Sequence, residues 1–167
     1  TDAGEDRVSV KSVEEAVSFL QETEGRIFIA TGSKELEKYT KLRNFKERCT
    51  ARILPSEEAI AKAVSLGFSG KHLIAMQGPF SDELNEAMLK SAKSRYFVTK
   101  SSGKEGGFAE KCRAARAAGA TLVVVERPES ECPEKKEGQD AEKQTMTLQE
   151  ACQLLESVAF KASDGTV

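Results

Sequence analysis

One histidine, His72, is all the imidazole in this 167-residue chain, and its four cysteines, Cys49, Cys112, Cys132 and Cys152, stand far apart with no C-x-x-C pair. That argues against a structural zinc site, so no metal is expected, and in a chain of this size it argues against a disulfide framework. No apolar run approaches the roughly 20 residues needed to cross a bilayer. The polar start Thr1-Asp2-Ala3-Gly4-Glu5-Asp6-Arg7 is not a secretion signal, so a cytoplasmic protein without a membrane partner is expected. An excess of positive charge is also missing: 25 Lys and Arg face 27 Asp and Glu, for a net charge of -2. With no broad basic field, nucleic acid is not an expected partner, and any anion must be held locally. Neither G-x-G-x-x-G nor G-x-x-x-x-G-K-[ST] stands at the loops. There is no carboxylate pair, no Cys/His couple and no Ser-His-Asp order, and the first core strand ends in Thr31 rather than in the aspartate of a phospho-receiver.

What is present is a globular composition, 39% hydrophobic and 31% charged, in a length that suits one domain spanning 1–167. The chain lacks an initiator methionine at position 1 and opens on a strand-like Arg7-Val8-Ser9-Val10, which raises the expectation of a piece excised from something longer. Five apolar, β-branched runs then alternate with helical periods. The strand candidates are 26–31, 49–54, 72–76, 95–99 and 121–125, two of them nearly continuous in apolar residues, as strands covered on both faces are. Helical spacing marks 35–42, 57–66, 82–92 and 107–118, with Leu84, Met88 and Leu89 as one stripe. Ser81 is placed to cap the third of these helices, and Gly67 and Gly119 to stop two of them in left-handed conformation. Ser12-Val13-Glu14-Glu15 and Thr147-Leu148-Gln149-Glu150 match the capping box before further apolar stripes. The charge run with prolines and Gly138 between them predicts a mobile loop over 129–145.

Strands alternating with helices predict an α/β fold: an open, mainly parallel Rossmann-like sheet of about five strands with helices on both faces. In such sheets ligands sit at the carboxyl ends of the strands. Three loops there are polar. In Thr31-Gly32-Ser33-Lys34, glycine allows close backbone approach, Ser33 can cap the next helix, and amides and lysine can hold a phosphate or carboxylate. In Gln77-Gly78-Pro79-Phe80-Ser81, Phe80 either packs down or stands over a flat ligand, with packing favoured. Thr99-Lys100-Ser101-Ser102-Gly103-Lys104 brings hydroxyls and lysines just before a helix. The residues expected to contact ligand are Thr31, Gly32, Ser33, Lys34, Gly78, Ser81, Thr99, Lys100, Ser101 and Ser102. Asp82, Glu83 and Glu35 read as acids favouring helix starts, and His72, far from a strand's carboxyl end, as structural.

The ordered set Thr31-Gly32-Ser33-Lys34-Glu35-Leu36, Gln77-Gly78-Pro79-Phe80-Ser81 with Asn85, Val98-Thr99-Lys100-Ser101-Ser102-Gly103 and Val123-Val124-Val125-Glu126-Arg127-Pro128 resembles the C-terminal half of precorrin-6A reductases, from about Val8 to Pro128. Lys104 stands where that family commonly has glycine. The resemblance implies an oxidoreductase that uses NADPH to reduce a double bond of a tetrapyrrole, the corrin precursor precorrin-6A or its cobalt form, in cobalamin biosynthesis. It also implies a two-halved enzyme with its site between Rossmann-like halves. The N-terminal half, with its Gly-Gly-Thr loop, is then the missing partner, and an edge strand left bare by it is a route to a homodimer. The competing reading is a non-catalytic anion-binding or partner-docking domain, because fold alone does not give function.

Overall fold

The structure, a computed structural model, describes residues 7–101 and 107–126, all within one unit, Thr1–Cys132. The expected helix after Thr147, the loop over 129–145 and Ser102 lie outside the described residues. In chain order the elements are β1 (Arg7–Val10), α1 (Val13–Gln21), β2 (Arg26–Ala30), α2 (Leu36–Tyr39), α3 (Phe45–Arg48), β3 (Cys49–Ile53), α4 (Glu57–Leu66), β4 (Leu73–Ala75), α5 (Asp82–Ser91), β5 (Ser94–Lys100), α6 (Phe108–Ala118) and β6 (Thr121–Val125). A single turn of 3₁₀ helix, Gly70–His72, leads into β4.

The strands form one six-stranded sheet, parallel throughout, in the order β1-β6-β5-β2-β3-β4. The sixth strand beyond the five core runs is the strand-like Arg7–Val10, paired in register along β6. Side chains alternate across the sheet, so each central strand feeds two cores. Ile27, Ile29, Ala51, Ile53, Val98 and Val123 pack beneath residues of α1, α2 and α4 on one face. On the other, Phe28, Phe97, Leu122 and Val124 pack beneath Met88 and Leu89 of α5 and Ala114 and Ala115 of α6. Burial on both faces is why these strands read as continuous apolar runs.

Helix ends follow local chemistry. Ser12, Ser56 and Ser81 each accept a hydrogen bond from the amide three residues on, in α1, α4 and α5. The Glu15 carboxylate accepts from the Lys11 amide at 2.6 Å, closing the first turn of α1. Gly67 and Gly119 end α4 and α6 at φ of 102° and 68°, where a β-carbon would be strained.

Three expectations need correction. The helix over 35–42 contracts to Leu36–Tyr39, followed by α3, because the buried Leu36, Tyr39 and Leu42 recur every third residue. That spacing favours the tighter i→i+3 bonds seen from Lys38, Thr40 and Leu42 to Glu35, Glu37 and Tyr39. Ser33 is no cap: Glu35 holds the cap position of α2, and no side chain caps it. Leu84 is exposed, and α5 buries Asn85, Met88 and Leu89 instead.

Candidate functional site

The chain winds outward from β2 through β3 to β4, then returns to the other side of β2 as β5 and continues to β6. The order therefore reverses between β2 and β5, and the loops leaving these two strands diverge at that point, where open α/β sheets form a ligand crevice. Ala30 pairs with Thr99 in register, so the first and third polar loops of the sequence start side by side. Lys100 Nζ lies 3.6 Å from Glu35 Oε2 across them, an ion pair longer than a hydrogen bond; that oxygen is buried and accepts no hydrogen bond.

A cavity of about 1030 Å³ opens over the carboxyl ends of β2, β3 and β4. Gly32 and Gly78 line it along with Ser81; Ile53, Leu54, Met76, Pro79 and Phe80 make an apolar wall. Gly32 has φ of +90° and nothing within 4 Å of where a β-carbon would stand, so its backbone is open to a ligand. Gly78 is constrained in a different way. A β-carbon there would lie 3.0 Å from the Phe80 ring, which packs down rather than standing free.

The ring of Phe80 packs on Arg52. The guanidinium carbon is 3.8 Å from the Phe80 centroid and 5.6 Å from that of Phe28. Arg52 Nη1 donates to Asn85 Oδ1 at 2.6 Å, and Asn85 Nδ2 reaches the Phe80 carbonyl at 3.5 Å. Arg52 is only 6% exposed, and burial pulls its guanidinium down to about 10, still charged at neutral pH. Lys111, from α6, lines the same cavity and donates to Thr99 Oγ1 at 3.0 Å. Burial lowers its ammonium below the ordinary lysine value, and the nearby Arg52 charge lowers it further. Among the described residues neither cation has a carboxylate within ion-pair distance. Glu110, also on the cavity, is engaged at 3.5 Å by Arg113, which itself joins α6 to Asp82 at the start of α5. Two cations without a carboxylate partner among the described residues, under an apolar wall, make a candidate anion site. Buried charge without a counter-ion is unfavourable unless a ligand brings one.

The family profile described as Precorrin-6x reductase CbiJ/CobK matches residues 1–156. The chain belongs to the precorrin-6x reductase family. It is 38% identical over 124 residues to the cobalt-precorrin-6A reductase of Priestia megaterium, covering 73% of this chain and 49% of that one. The cobalt-precorrin-6A reductase of Methanothermobacter thermautotrophicus is 46% identical over 83 residues, 50% of this chain and 28% of that one. A solved structure titled CobK precorrin-6A reductase superposes with a TM-score of 0.58 at 20% identity, over 94% of this chain and 57% of its own, a likeness of fold. The chain thus spans about half the length, or less, of these relatives.

In this precorrin-6x reductase family member the expected contact residues fall into three groups. Gly32, Gly78 and Ser81 line the cavity, although the Ser81 hydroxyl is occupied in capping α5. Thr31 and Thr99 are buried beside it: Thr31 shares a hydrogen bond with the Tyr39 hydroxyl at 3.1 Å, and Thr99 accepts from Lys111. Ser33, Lys34, Lys100 and Ser101 stand on the loops but not on the cavity lining; Lys34 is exposed, and its carbonyl accepts from Lys62 Nζ at 2.9 Å. Arg52, Asn85 and Lys111 complete the site without having been singled out as ligand contacts. A cation in the middle of an otherwise buried strand was the available signal for Arg52.

The lowered Lys111 value gives a pH expectation. Between the folded value and the ordinary 10.5, the unfolded chain binds the extra proton, so Lys111 destabilises the fold at lower pH and this penalty fades as pH rises through that window. A bound anion favours the charged ammonium and draws the proton back. Titration calorimetry of an anion in that window, in two buffers of different ionisation enthalpy, should show net proton uptake, and Lys111→Met should reduce it, leaving only the share of Arg52, whose value of about 10 falls in the same window.

Proposed function

We propose that this chain supplies the C-terminal half of an NADPH-dependent reductase acting on precorrin-6A, with or without cobalt, in cobalamin biosynthesis. The observation that carries the reading is the cavity over the carboxyl ends of β2, β3 and β4, beside the sheet's reversal point, with Arg52 and Lys111 lining it without a carboxylate partner among the described residues, in a member of this family. The donor set fits both molecules the reaction needs. The open backbone of Gly32, with Ser33, Lys34 and Lys100 on neighbouring loops, suits the phosphates of NADPH. Arg52 and Lys111 suit carboxylates or phosphates. NADPH, when bound, supplies the hydride.

The protein's own contribution is placement. Leu54, Met76, Pro79 and Phe80 shed water from a broad apolar surface, strengthening the pull of the two cations on an anionic group beside it. The other wall belongs to an N-terminal half supplied by the rest of the enzyme, so the chain itself is one Rossmann-like half. NADPH oxidation by the full two-halved enzyme, followed with and without the corrin precursor, tests the reading. Precursor-dependent oxidation that falls when Lys34 or Lys100 becomes alanine is expected. A full-length enzyme that binds anions yet oxidises no NADPH with either form of the precursor would leave only a binding module.

A further inference from the structure

We propose that Arg52, Asn85 and Lys111 form the seat for one carboxylate arm of the macrocycle, and that the cofactor's phosphates lie elsewhere. The inference rests on the reductase reading and names which of its two anionic ligands meets this part of the cavity. Arg52 Nη1 is committed to Asn85 Oδ1 at 2.6 Å, and its face is covered by the Phe80 ring at 3.8 Å. The guanidinium therefore has its plane fixed before any ligand arrives, and its remaining N–H donors lie in that plane. A planar two-oxygen acceptor, a carboxylate, matches such an edge.

Asn85 makes the assignment sharper. It is 2% exposed and offers Arg52 an oxygen without a charge. An aspartate there would orient the arginine equally well and cancel it; asparagine orients it and leaves the charge unspent. Lys111 adds a second cation, anchored by Thr99, on the opposite helix of the same cavity. The walls beside them, Ile53, Leu54, Met76 and Pro79, are apolar, and Leu54 is 58% exposed. One doubly positive corner in an apolar cavity suits a large, flat, apolar ring with acidic arms. The sugars and phosphates of a dinucleotide call instead for hydrogen-bonding walls and glycine-turn amides, which the Gly32 loop offers.

A porphyrin octacarboxylate is the probe, titrated into the 167-residue chain by absorbance and fluorescence, with NADPH titrated separately. Binding of the porphyrin is expected, weakened tenfold or more by Asn85→Asp and by Arg52→Gln, while NADPH affinity stays within twofold. Should Arg52→Gln fail to fold by circular dichroism, Asn85→Asp, which keeps an oxygen on Arg52, decides alone. Absence of porphyrin binding, unchanged porphyrin affinity in the variants, or a loss confined to NADPH would each overturn the assignment. Asn85-sensitive porphyrin binding in a full-length enzyme with no NADPH-dependent turnover would sink the reductase reading and leave the seat standing.

Discussion

Replacing Phe28 with alanine should destabilise the chain by about 3–5 kcal/mol, the usual loss for a buried phenylalanine. Phe28 is fully buried in the central strand β2 and meets Phe97 edge-to-face, with centroids 5.6 Å apart. Met88 and Leu89 of α5 belong to the same core cluster, so truncation leaves a void beneath a helix as well as between strands. Against a typical domain stability of about 5–15 kcal/mol, this is a large fraction. The urea midpoint should drop accordingly, and the thermal midpoint by on the order of 10 °C. Function should suffer too, because Phe28 is one of the two rings against Arg52. A loss below about 1 kcal/mol would show that the core refills the space and that the two-faced packing is looser than the geometry implies.

The parts of the fold legible in the sequence were those decided locally. Val123 and Val124 lie in a run that only a doubly covered strand tolerates, and Ser81 and Gly119 mark helix ends by their own chemistry. The loops at 31–34 and 77–81 could be placed at strand ends for the same reason. The centre of the site could not be read that way. Arg52 falls inside a strand candidate, and its meaning depends on Asn85 and Phe80, which come from a loop and helix about thirty residues later. Lys111 sits on a helix whose neighbours Glu110 and Arg113 pair at the surface, so it reads as one more solvated lysine until the fold turns it over the cavity. Phe80 had two readings, and the structure shows the packed one: the ring lies on Arg52, which lines the cavity. The helix at 35–42 failed because apolar residues every third position satisfy a helical stripe for one turn only.

Arg52 should behave in the opposite sense to Phe28, although its guanidinium carbon is only 5.6 Å from that ring and the residue is almost as buried. Its removal deletes a core contact but also a desolvated charge with no carboxylate partner among the described residues. Arg52→Met alone leaves Asn85 Oδ1 without its donor, a cost of about 1–3 kcal/mol that offsets the relief of removing the charge. Near-neutral stability is therefore expected. The double variant Arg52→Met with Asn85→Leu removes that orphan, gives up only the long 3.5 Å contact to the Phe80 carbonyl, and should gain about 1–4 kcal/mol, as apolar replacement of buried ionic groups often does. Ligand should then separate the proteins in the other direction. At a porphyrin octacarboxylate concentration of about 100 times the dissociation constant, the unaltered chain gains about 2.7 kcal/mol and the double variant almost nothing. Urea unfolding with and without the porphyrin measures both effects. A double variant that loses more than about 2 kcal/mol would make Arg52 a structural residue of the α5 face. A gain in stability matched by a loss of ligand protection would mean that the chain keeps an unfavourable buried charge because its counter-ion arrives with the ligand.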